Sequence, residues 1–196
     1  MKKSLVTILV IIGIVLILIM WGSRRYNNLV TMEEGVTAAW SQVENVYQRR
    51  ADLIPNLVNT VKGYADFEQK TLTMVIEARS KATSVNVDAN QLNEASIQQF
   101  QQAQQGLSSA LSRLMVVVER YPDLKANQNF LDLQTQLEGT ENRITVERRN
   151  FNQTAQTYNA QIRRFPNNLF AGMFGFERKA YFEAEQGAEK APEVQF

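Results

Sequence analysis

The 196-residue chain contains no histidine and no cysteine. The first absence removes the side chain most used for general acid–base catalysis. The second removes thiol nucleophiles and disulfides. Together they remove the usual ligand sets of zinc, haem and iron–sulfur centres. Carboxylates, serine or lysine nucleophiles and oxygen-ligand metals remain. The lack of cysteine fits either side of a membrane, so it assigns no redox compartment. An excess of one charge is also missing: 21 Lys and Arg face 20 Asp and Glu, which gives no global pull toward nucleic acid. Glycine (9) and proline (4) are sparse. No window alternates apolar and polar residues over a strand's length, so no sheet is predicted. From this residue set we expect no catalytic activity, cofactor, metal or small-molecule substrate.

What is present begins with an apolar run. Residues 5–21, LVTILVIIGIVLILIMW, carry no charge and lie between Lys2-Lys3 and Arg24-Arg25. As helix the run from Leu5 to Trp21 is ~25 Å long, slightly under a ~30 Å hydrocarbon core. Flanking cations can snorkel, and Trp21 suits the interface. A cleaved signal peptide would need a shorter apolar stretch and small residues at its end; this one ends in Met20-Trp21. Residues 1–25 are therefore expected to be a retained single-pass membrane anchor, in contact with lipid. The positive-inside rule leans toward the N-terminus in the cytoplasm and the rest outside it.

Beyond the anchor the apolar residues fall on helical spacing. Leu29, Val36, Trp40, Val43, Tyr47, Ile54, Leu57, Val61 and Tyr64 are three, four or seven apart, which predicts a long helix with one buried seam, kinked at Pro55. A second helix is expected from Asp66 as N-cap with Gln69 completing a capping box, and SVNVDAN (84–90) then reads as a connector. A third carries Leu92, Ser96, Phe100, Ala103, Leu107, Ala110, Leu114, Val117 and Tyr121. Its QQFQQAQQ run is read as a solvated face, and Pro122 stops it. A fourth repeats Phe130, Leu137, Ile144, Phe151, Tyr158 and Phe165 at strict seven-residue intervals and ends at Pro166. The fold class is all-α: an N-terminal transmembrane helix, then an elongated, coiled-coil-like antiparallel four-helix bundle over residues 26–166.

Two positions in the first helix's ladder are charged, Glu33 and Arg50, and the fourth helix carries Glu141 and Arg148 on its companion row. If the first and fourth helices pair antiparallel with Tyr26 near Phe165, paired residue numbers sum to about 191. Arg50 then meets Glu141, and Arg148 meets Glu44. A buried charge without a partner costs several kcal/mol, so these four are expected to be structural ion pairs that set the register. The arginine pairs at 24–25, 49–50, 148–149 and 163–164 leave a second reading, a sensor or adaptor that receives an anionic lipid or peptide. A third, an enzyme using carboxylates such as Glu141 and Glu147, lacks any accompanying nucleophile motif or phosphate loop.

The segment 167–196 is aromatic-rich, then loose over Gly187–Phe196. Phe165, Phe170, Phe174, Phe176, Tyr181 and Phe182 are too many aromatics for an exposed loop. They can fold back on the bundle, lie at the membrane interface or contact another subunit.

The stretches YNNLV (26–30), AAWSQVENVYQRRADLIPNLVNTVKGYA (38–65), YPDLKANQNFLDLQTQLEGTENRITVERRNFN (121–152) and YNAQIRRFPNNLFA (158–171), with the closing YFEAE, resemble the LemA family from about Arg25 to Glu185. The resemblance departs at Phe67-Glu68, where the family often has a histidine-containing pair, so a metal site there lacks support. It implies a bacterial single-span membrane protein with a helical bundle, no established catalytic site and a short N-terminus outside the cytoplasm, opposite to the charge argument. The functional expectation is a membrane-anchored helical scaffold of the bacterial envelope. It would form a homo-oligomer or hold another membrane protein, and would not bind nucleic acid.

Overall fold

A computed structural model of the chain describes residues 2–63 and 68–183, with side chains from residue 5 onward. The described residues form helices only: α1 Lys2–Lys62, α2 Gln69–Ser84, α3 Glu94–Val118, α4 Pro122–Lys125, α5 Gln128–Arg163 and α6 Asn167–Phe174. The apolar run and the first bundle segment are one element. α1 extends unbroken for 61 residues, ~90 Å. Its apolar side chains from Leu5 to Trp21 are exposed. Among the described residues this run alone is long and apolar enough to cross a membrane.

α1 and α5 pack along each other as the long antiparallel pair. Trp40 meets Phe151 at a centroid distance of 5.5 Å, Arg50 meets Glu141 at 2.8 Å, and the Tyr158 hydroxyl donates to Glu33 at 3.4 Å. In all three pairs the residue numbers sum to 191, the register expected from the charged seam positions. The heptad residues explain the pairing: Phe130, Leu137, Ile144, Phe151 and Tyr158 are all buried. Phe165 is not. It lies beyond the end of α5, has left the heptad face, and is 80% exposed.

α2 and α3 are too short to line the whole pair. They pack against its distal half, where Leu72, Val75, Leu107 and Leu114 join Ile54 and Leu57 of α1 in one apolar cluster. A second cluster fills the half near the apolar run, around Trp40, Phe151 and Tyr158. There the place of the middle helices is taken by the start of α3 and by the chain after α6, through Phe100 and Phe182.

Several boundaries differ from expectation. Glu68 is the N-cap of α2 and makes no side-chain capping bond; Asp66, the cap expected from sequence, lies like Tyr64 outside the described residues. α3 starts later than Leu92. Asn93 caps it, and Ser96 returns the bond to the Asn93 backbone, so Ser96 serves the cap and not the seam. Val118 ends α3, and Pro122 opens the short α4, at a helix position that needs no N–H. Asn127 then caps α5 through Phe130 N–H.

Pro55 lies inside α1. Having no N–H, it cannot donate to the carbonyl four residues back, that of Ala51. Arg79 of α2 makes up the loss: its Nε–H donates to the Ala51 carbonyl at 2.8 Å. The gap in α1's hydrogen-bond ladder thereby becomes the docking point of α2. Arg79→Met is expected to lower stability by about 1.5–3 kcal/mol, the range for a bond to a charged donor. In a Pro55→Ala background, where a helical N–H reaches the same carbonyl, the loss shrinks. Thermal melts of helical circular dichroism in detergent read both effects.

Candidate functional site

The charge at Arg50 lies between the two apolar clusters, after Tyr47 of one and before Ile54 of the other. Arg50 is 1% exposed. Its Nη1 donates to Glu141 at 2.8 Å and to the Ser108 hydroxyl at 2.9 Å. Its Nη2 donates to the side-chain oxygen of Gln104 at 2.8 Å and the Gln104 carbonyl at 3.2 Å. The guanidinium also lies 5.1 Å from the Tyr47 ring centroid, a favourable contact for a cation. Gln104 in turn donates to the Ala82 carbonyl of α2 at 3.2 Å. One cation therefore ties α1 to α3 and α5 directly, and to α2 through Gln104. Its Nε, also buried, makes no hydrogen bond among the described residues. Glu141 is half-exposed, so part of the pair's charge is screened by water.

Sequence spacing placed Ala103 on the apolar face of α3 and left the glutamines to solvent. Gln104 is the exception: it is buried. The signal was present, since Gln104 follows Phe100 by four and precedes Leu107 by three, on the buried stripe. Arg148 was expected opposite Glu44. Its Nη2 donates to the Glu183 carbonyl at 2.9 Å, and its guanidinium covers the Phe182 ring at 5.0 Å. Burial raises the Glu44 carboxyl above its ordinary pKa, opposed in part by the Trp40 indole.

Those contacts belong to a second polar arrangement, a strap formed by the chain after α6. Gly175 turns it, at φ +76°, a conformation open to glycine without strain. Residues 179–182 then run along α5, held by two asparagines seven apart. Asn159 accepts from Lys179 N–H at 2.9 Å and donates to the Lys179 carbonyl at 2.8 Å. Asn152 does the same for Phe182, at 2.8 and 2.9 Å. Between these points Ala180 N–H donates to the Leu92 carbonyl at 2.8 Å. Each amide side chain thus acts as a piece of neighbouring strand. Phe182 inserts among Trp40, Phe100 and Phe151; such ring pairs contribute about 0.5–1.5 kcal/mol each beyond area. Buried Lys179 pairs with Glu33 at 2.7 Å and faces the Tyr158 ring. Burial and the Glu33 charge raise the Tyr158 hydroxyl's pKa, keeping it protonated as the donor to Glu33.

The remaining aromatics collect where the apolar run of α1 ends. Phe170 meets Trp21 edge-on at 5.7 Å, and Tyr26 meets Phe174 at 4.9 Å and Phe176 at 5.7 Å. Tyr26 thus pairs with the segment after α5 and not with Phe165. Of the six aromatics singled out from sequence, only Phe182 is buried; Phe170 and Phe176 are half-buried, while Phe165, Phe174 and Tyr181 are exposed. Asn152, Asn159 and Lys179 were missed, because nothing in their spacing tells what lies opposite them. The described residues contain no acidic cluster able to hold a metal ion.

A family model described as LemA family matches residues 39–196. Magnetosome proteins MamQ 1 and MamQ 2 of Paramagnetospirillum magneticum (strain ATCC 700264 / AMB-1) are each 30% identical to this chain, covering 84% of it and 67% of their own length. Protein LemA of Metamycoplasma hominis is 28% identical over 83% of this chain and 70% of its own.

These contacts set the following outcomes for stability. Glu141→Gln is expected to cost about 1 kcal/mol, since its carboxylate is half in water. Arg50→Glu is expected to cost about 4 kcal/mol or more, by setting a buried anion against the two Gln104 oxygens. Adding Glu141→Arg recovers little of that, because those acceptors remain; a double-mutant cycle on urea unfolding measures the coupling. Asn159→Leu keeps the volume but leaves the Lys179 N–H and carbonyl without partners. Hydrogen exchange of the amides at 179 and 182 is expected to lose protection while the α1–α5 core keeps it.

Proposed function

The chain belongs to the LemA family, and from that premise we propose that it is a non-catalytic helical scaffold. It is anchored in the bacterial inner membrane by the apolar part of α1 and holds a second copy or another membrane protein at the bilayer. The supporting observation is the continuity of α1. With no loop between anchor and bundle, a rod of ~60 Å beyond Trp21 is carried at a defined attitude to the membrane. That is of use to a protein that positions others. The buried ionic groups are engaged within the fold: Arg50 by Gln104, Ser108 and Glu141, and Lys179 by Glu33. Arg50 is therefore closed to an outside anion, and the sensor reading retains only the exposed arginines near the end of the apolar run. For the carboxylate enzyme, four surface grooves among the described residues have linings that include neither Glu141 nor Glu147. The names of the relatives specify no reaction.

In intact cells, crosslinking the full-length chain is expected to capture a second copy or a distinct membrane protein. The same species should elute in detergent with a mass above that of the 22.4 kDa chain. A strict monomer by light scattering, with nothing captured, would remove the scaffold reading.

A further inference from the structure

α6 has two faces. Asn167 and Ala171 are buried against the bundle. Phe165, just ahead of the helix, and Leu169 and Met173 on it are four residues apart and 80%, 58% and 74% exposed. A row of large apolar side chains this open needs an occupant. Its position says which. On the bundle side of α6, Phe170 touches Trp21 and faces Gly22, where an added Cβ would come within 3.6 Å of its ring, while Phe174 touches Tyr26. Residues 21–26 of α1 are the turn and a half that starts at the last residue of the apolar run. They rise about 7 Å, comparable to the headgroup layer of one leaflet. The charge pattern agrees. Residues 1–32 and 148–176 contain no Asp or Glu, although the chain as a whole is nearly neutral. Arg24, Arg25, Arg163 and Arg164, all exposed, flank α6 in sequence or beside its contact on α1.

We infer that α6 is a second membrane contact: a short interfacial helix whose Phe165–Leu169–Met173 row enters the headgroup and upper acyl region of a bilayer, with the four arginines taking anionic phospholipid headgroups. Lys and Arg near an anionic surface are each worth about 1 kcal/mol, and an apolar face beside them is what an in-plane helix requires. The inference rests on α1 being the membrane anchor. It gives the scaffold a fixed footing, with one element crossing the bilayer and another resting on it.

The chain has no native cysteine, so single fluorescent labels can be placed at L169C, M173C, L9C and V116C in the full-length protein. Each is reconstituted in phosphatidylcholine vesicles with and without phosphatidylglycerol. Labels at L169C and M173C should be quenched by nitroxide lipid and lose quenching by aqueous acrylamide relative to the distal V116C. The lipid quenching should rise with phosphatidylglycerol, and that rise should be lost when the four arginines become glutamine with helicity intact. If L9C is lipid-quenched while L169C and M173C stay as open to acrylamide as V116C, α6 does not touch the bilayer and the anchor stands. If L9C itself is open to acrylamide, the anchor reading fails and takes this inference with it. Shielding of L169C and M173C from both quenchers would mark a protein contact and overturn the lipid assignment.

Discussion

The rest of the structure depends on one buried cation. Two long amphipathic helices with seven-residue seams can slide past one another by a heptad at modest apolar cost. Arg50 opposes the slide. Its donors meet Glu141 of α5 and Ser108 and Gln104 of α3 in one arrangement, and a shifted α5 would leave the guanidinium without its carboxylate. The two apolar clusters on either side supply most of the burial but little of the choice among alignments. The polar layer has the opposite balance. It adds little net stability, because Glu141 is half in water, and most of the specificity.

A second constraint is the mismatch in helix length. α1 and α5 are long, whereas α2 and most of α3 cover only their distal half. The proximal half, with only the start of α3 on it, would otherwise expose Trp40 and Phe151. The strap solves this with an extended chain, and extended chain brings backbone amides that need partners when covered. Asn152 and Asn159 are those partners, spaced seven residues apart so that both face the same groove. The aromatic richness of the C-terminal region thus has two separate causes. Phe182 is core. Phe165, Leu169 and Met173 of the base are surface.

Much of the fold was legible because helical bundles encode their pairing in simple periods. The heptads of Phe130–Tyr158, the anomalous charges at 50 and 141, and the prolines were enough for helix order, direction and register. Helix ends were less legible. Asn93–Ser96 and Asn127 are caps whose strength depends on geometry a few residues around them, and Phe165 continues the heptad in sequence though the helix has stopped. For the C-terminal segment, fold-back on the bundle was legible in the aromatic richness, and Phe182 bears it out, but the strap's path and its polar partners were not. An asparagine that binds a distant backbone looks in sequence like any polar residue on a helix flank. Arg79 is intermediate: Pro55 announces an orphaned carbonyl, but only the packing of α2 shows which donor reaches it.

With its apolar run in a bilayer, the continuous α1 would make the protein a lever, and a lean of the stem would pass toward the far end with no loop between to absorb it. A tilt of about 10°, small within the spread common for single spans, would swing a tip ~60 Å from the bilayer by roughly 10 Å. Membrane thickness at the foot would therefore be felt as lateral displacement at the summit, about the width of one helix.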